Sequence, residues 1–187
     1  MAEWFPLDRT EQREEVVVTS DMQHAKRPVS AMLAGPYGHP FHPILVTVPI
    51  GAWVASVVFD IASHVAGDPQ SLARGAAWLI AVGVLGALVA AVVGLLDLLA
   101  IPTGTSAFRT GLVHMSLNLI VTVAFAVDFW WRQSGSGPDG AVPMGQLVLS
   151  IIALAVLGVS GYLGGKLAYH YGVRVADETT QASGYRH

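Results

Sequence analysis

GAAWLIAVGVLGALVAAVVGLLDLLAI, residues 75–101, decides the class of this chain. The run holds a single ionisable side chain, Asp97. Crossing a bilayer core of about 30 Å takes roughly 20 apolar helical residues, and this stretch exceeds that. Three more blocks of similar character flank it, at 44–66, 107–131 and 146–169. The connections between them are short and built of turn residues: GDPQSLAR (67–74), PTGTS (102–106) and RQSGSGPDGAVPM (132–144). Short connections force neighbours to run antiparallel. The expected fold is therefore all-α: a polytopic integral membrane protein, an antiparallel bundle of four transmembrane helices. Residues 35–176 form its transmembrane domain, 1–34 a polar leader expected to be mobile with at most a short surface helix, and 177–187 a polar tail.

Composition agrees with the spans. The 187 residues are 53% hydrophobic and 12% charged, with a mean hydropathy of +0.54, too apolar for an ordinary soluble domain. There is no cysteine, which excludes a disulfide framework, thiolate zinc, iron–sulfur ligation and covalent attachment of c-type haem. A formal charge of −3 without a basic cluster argues against a nucleic-acid partner. No secretory signal is expected, because the first apolar run lies behind an acidic leader.

Four spans put both ends of the domain on one side. Lys26, Arg27, Arg109, Lys166 and Arg174 lie near the spans on that side, against Arg74 and Arg132 on the other. The excess of basic residues predicts that both termini are cytoplasmic. Trp130 and Trp131 read as an aromatic anchor at the outer interface. Gly158, Gly161 and Gly165 in span four, and Gly86, Ala90 and Gly94 in span two, form small-residue stripes. Such stripes let helices pack closely, or leave room for a flat cofactor.

Ionisable groups at membrane depth are costly and mark sites. They sort into two layers. The cytoplasmic layer has His42, Asp97 and His114, with Lys166 and His170 at the end of span four. The outer layer has Asp60, His64 and Asp128. Asp97 continues the small stripe of span two and should face inward near His114. Gly111, His114, Asn118 and Thr122 share one face of span three, and His42, Pro49, Ser56 and Ser63 recur every seven residues on span one. Lys166 reads as a snorkelling side chain, His64 and Asp128 as an outer-rim pair, and His24, His170 and His187 as solvated.

The segment HPFHP (39–43) opens span one. A residue before proline is pushed toward extended geometry, so both His39 and His42 should be held stiffly. Pro43 suits the first helical position, which places His42 at or beside the N-cap. Pro49 should bend the span and free the carbonyl of Leu45.

GHPFHPILVTVPIG, WVASVVFDIAS, GLLDLL, HMSLNL and GYLGGKLAYHYGV, in that order, resemble the bacterial integral membrane family called domain of unknown function 2231, over roughly residues 35–176. The resemblance implies a four-helix domain in the bacterial inner membrane. Its motifs fall on His39, His42, Asp60, Asp97, His114, Asn118, Gly161, Gly164, Gly165 and Lys166. Some relatives are joined to Rieske iron–sulfur domains, which points toward electron transfer; this chain has neither such a domain nor cysteine.

Four functional readings follow. In the first, a redox subunit binds b-type haem through His42 and His114, with His39, Asp97 and Asn118 in support and Gly94 and Gly111 making room. It would act with a redox partner protein or quinone. In the second, a small proton-coupled transporter uses Asp97, His114 and Lys166 as relay groups and the Pro49 kink as a moving part. In the third, a non-catalytic accessory subunit, alone or as an oligomer, uses the polar layer only to lock helix packing. In the last, His39, His42, His114 and Asp97 bind a metal ion without haem. No residue is assigned a catalytic role, and whether the chain is an enzyme stays open.

Overall fold

The computed structural model describes residues 9–27, 40–135 and 140–185. The His39 expectation lies outside the described residues. Seven helices follow one another: α1 (Arg9–Lys26), α2 (Phe41–Leu45), α3 (Thr47–Ala62), α4 (Pro69–Leu99), α5 (Ser106–Arg132), α6 (Met144–Tyr169) and α7 (Glu178–Ser183), with no strand among the described residues. Four helical segments are long and apolar enough to cross a membrane: Phe41–Ala62, Pro69–Leu99, Ser106–Arg132 and Met144–Tyr169. The expected four-helix membrane fold is the fold observed.

Local chemistry sets the ends of these helices. The Asp68 side chain accepts from the Ser71 N–H at 3.1 Å and Pro69 takes the first helical turn, so α4 begins earlier than residue 75. Thr105 caps α5 by accepting from the Phe108 N–H at 3.1 Å. Span one starts at Phe41 with Pro40 as its N-cap, which puts His42 inside the first turn rather than at the cap. The span breaks at Val46, between α2 and α3. Pro49 has no N–H to give the Leu45 carbonyl, and the bend falls where that bond is missing.

Each span packs against its chain neighbours, and α3 also meets α6, closing a ring of four. Spans one and three therefore face each other across a diagonal. At mid-depth Trp53 stacks on Phe125, with centroids 4.4 Å apart and planes 10° apart, among Ile80, Val121 and Ala153. Gly83 lets the Trp53 indole lie directly on α4. Large apolar side chains cover the outside, Leu85, Val92, Leu119 and Ile120 among them, as expected of helices whose outer surface meets lipid.

Two expectations need correcting. The leader holds a helix of 18 residues, α1, longer than the short surface helix expected at most. Gly158 and Gly161 contact no other part of the chain, since a Cβ built on either meets nothing within 4 Å. The glycines of span four that lie against a neighbouring side chain are Gly145, beside the Trp131 indole, and Gly164, beside the His114 ring.

Candidate functional site

Two polar clusters occupy opposite ends of the bundle, separated by the aromatic layer.

At the end that carries the chain termini, the kinked start of span one turns His42 toward α4. Its Nδ1 lies 3.0 Å from the Ala90 carbonyl oxygen. A carbonyl only accepts, so Nδ1 carries the proton and Nε2 keeps its lone pair. Gly94 makes this seat possible: a Cβ there would fall 2.7 Å from His42 Cε1. The stripe Gly86, Ala90, Gly94 thus receives span one, with Gly86 against Val48 and Pro49.

His114 repeats the arrangement on the other pair of helices. Its Nδ1 lies 2.8 Å from the Ser160 carbonyl oxygen on α6, and a Cβ on Gly164 would fall 3.0 Å from its Cε1. Asn118, one turn along, donates to the His114 carbonyl at 2.9 Å and to Ser160 Oγ at 2.7 Å. Its amide nitrogen also stands 3.2 Å from His114 Nε2, but the two shorter contacts take both its hydrogens. Ser160 is fully buried. Across the diagonal the two imidazoles approach to a centroid separation of 6.4 Å, with planes at 81°.

Asp97 is largely buried, as its place on the stripe predicts, but its ion-pair partner is Arg174, which follows α6: Nε lies 2.9 Å from Oδ1. Arg174 adopts a left-handed φ of 58° to reach it, and its N–H donates to the Ala25 carbonyl of α1. Sequence reasoning counted Arg174 only as a basic flank. Nothing in its local pattern signals a contact made by a strained backbone. Lys166 stands 5.4 Å over the Tyr171 ring. His24 and His170 are exposed, as expected.

At the opposite end Arg132, with a side chain only 5% exposed, lies between two fully buried carboxylates. It forms a two-pronged pair with Asp60, Nη1 to Oδ1 at 2.8 Å and Nη2 to Oδ2 at 2.7 Å. It also donates to Asp128 Oδ2 from Nη2 at 2.8 Å and from Nε at 3.1 Å. Ser150 of α6 donates to the same oxygen at 2.8 Å. The expected His64–Asp128 rim pair is therefore replaced: His64 is exposed, and Asp128 pairs with Arg132. The spacing of Asp128 and Arg132, one turn apart, was a usable signal for this pair. Asp60 joins them through the tertiary fold.

Residues 38–177 match the family model described as "Predicted membrane protein (DUF2231)". The chain belongs to this family. Both polar clusters lie within the matched region of this DUF2231 protein. No curated protein and no solved structure matches it.

The haem expectation meets mixed ground. The donor set fits. Metal–nitrogen bonds of about 2 Å would put the centroids of two imidazoles on opposite sides of one ion roughly 6 Å apart. Each ring is also fixed through Nδ1–H, the usual support of a ligating histidine. The expected room is partly taken, however. The His42 ring itself occupies the space at Gly94, and Leu98 Cδ1 lies 2.6 Å from where a Cβ of Gly111 would stand. Among the described residues no three metal-binding side chains come together, and His39 lies outside them.

Proposed function

We propose that this protein is a redox subunit of the bacterial cytoplasmic membrane in which His42 and His114 would hold a b-type haem. The observation that carries the reading is the matched anchoring of the two rings. Each donates Nδ1–H to a carbonyl on its neighbouring helix, and the rings face each other 6.4 Å apart. That leaves both Nε2 lone pairs for a metal and fixes the rings before it arrives. A pair of imidazoles with no third protein ligand among the described residues suits an iron whose remaining positions the macrocycle fills. Haem bound there supplies one-electron exchange. The chain's own part is to hold the rings, to set them in apolar surroundings, and to let Leu98 turn aside. Asp97 and Arg174 lie at the same end as an ion pair that leaves only a small field beside the iron. The protein's orientation follows from its charges: with Arg132 buried against two carboxylates, Arg74 is the basic side chain left exposed on the far side, which favours cytoplasmic termini.

The test is the reduced-minus-oxidised spectrum of the purified protein, before and after titration with hemin. A bis-imidazole spectrum is expected in the wild type and in His64→Ala, and its loss in His42→Ala and His114→Ala. His42→Met keeps a ligand and should shift the spectrum rather than abolish it. If the wild type binds no haem in either state, or if both alanine variants keep its bands, the reading fails. A reporter fused after residue 180 is expected to read cytoplasmic; a periplasmic signal reverses the orientation.

A further inference from the structure

The cluster at the far end holds more negative than positive charge. Asp60 and Asp128 contribute two carboxylates, Arg132 one guanidinium, and all three side chains lie within the bundle. Among the described residues, every other neighbour in the cluster is neutral. Ser150 reaches in from α6, while Ser63 on span one donates to the Asp60 carbonyl at 2.6 Å and accepts from the Val142 N–H at 3.1 Å. From α4 no ionisable group arrives: Arg74 is exposed and Asp97 lies at the opposite end. A net charge buried at membrane depth is strongly disfavoured and invites neutralisation.

The hydrogen bonds show which oxygen is open. Both oxygens of Asp60 are engaged by Arg132. Asp128 Oδ2 receives Arg132 twice and Ser150 once. Asp128 Oδ1 is fully buried and has no hydrogen-bond partner among the described residues.

We propose that the Asp60–Arg132–Asp128 cluster is a proton-binding site, which takes up one exchangeable proton at Asp128 Oδ1. With the proton bound the cluster is neutral. Without it, one negative charge is held at that end of the bundle. Both oxygens of Asp60 are taken by the two prongs of the guanidinium, which fixes Arg132 and leaves Asp128 Oδ1 as the place for the proton. This site stands apart from the imidazole pair and does not depend on what that pair binds.

Infrared difference spectroscopy of the full chain in nanodiscs, titrated over pH in H2O and D2O, tests the proposal. Above the pH range in which the exposed carboxyl groups titrate, the wild type is expected to show one protonated-carboxyl C=O band that shifts in D2O and disappears in a single step as pH rises further. Asp128→Asn keeps the shape and removes the negative charge, and should lack the band. Asp60→Asn leaves one carboxylate for one guanidinium, and should lack it as well. A wild type with no such band at any pH overturns the proposal, as does a band that survives in Asp128→Asn. If added Na+ at fixed pH stabilises the wild type but not Asp128→Asn, with no protonated carboxyl present, the ligand is a metal cation and the proposal is equally overturned. The wild-type titration decides the matter even if a variant does not fold.

Discussion

The two ends of the bundle solve the problem of polar groups in lipid by opposite means. At the terminal end the two imidazoles, the Asn118 amide and the Ser160 hydroxyl are held by hydrogen bonds to carbonyls and hydroxyls on neighbouring helices, and the one charged pair there, Asp97 with Arg174, is balanced one to one. At the far end the groups are charged, and one guanidinium gathers two carboxylates from different helices. The first arrangement depends on small residues that let rings touch backbone. The second depends on charge balance. Between them lies the Trp53–Phe125 stack, which keeps the two systems apart. Polarity inside a membrane bundle is thus organised by packing in one place and by electrostatics in another, and the two should fail differently.

Arg132→Ala should be the most damaging single change. It removes the only cation of the cluster and leaves two buried carboxylates facing each other, and breaking a buried ion pair typically costs about 3–5 kcal/mol. Unfolding in mixed micelles measures this. A loss no larger than that of an exposed arginine such as Arg74→Ala would mean that the far end is not held by charge.

Gly94→Ala should come next. The new methyl would stand 2.7 Å from an imidazole carbon that is itself hydrogen-bonded to the same helix, so ring or helix must move. Overpacking of this kind costs about 1–3 kcal/mol. The same change at Gly161, where nothing lies within 4 Å, should be close to neutral. Equal effects at the two sites would remove the packing account of the terminal end.

Glu178→Gln should have the smallest effect. Lys26 donates to Glu178 at 2.7 Å, joining α1 to α7, and this bond holds the Glu178 carboxyl below its ordinary value. With the folded value depressed, the contact stabilises above the unfolded value and is lost as pH falls through the folded one. Glu178 is exposed, so solvent screens the pair. Hydrogen-exchange protection of α1, taken relative to the intrinsic rate at each pH, should fall slightly in acid in the wild type, and Glu178→Gln should show that lower protection already at neutral pH. A shift in the global unfolding midpoint would contradict this local role.

Residues 75–101 and their three companions were sufficient for the fold, because lipid admits few alternatives to a helix for so long an apolar run. The inward direction of Asp97, the break before Pro49 and the convergence of His42 with His114 were also legible, since each follows from helical spacing or from proline's missing N–H. What eluded sequence reasoning was the identity of partners. Asp97 was matched with His114 and found Arg174; Asp128 was matched with His64 and found Arg132. Gly161 looked like a packing position and faces outward, while Gly164 receives the ring.

The sequence by itself therefore determined the number of spans, their helical state and the inward direction of Asp97, His42 and His114, because these depend on periodicity and on the bilayer's intolerance of unpaired backbone. Only the tertiary structure decided which inward residue meets which. That choice depends on the azimuth of each helix and on how four of them close into a ring, and it is made to within a hydrogen-bond length. An arginine counted as a loop charge can become the centre of a buried cluster by a rotation that leaves every local pattern unchanged.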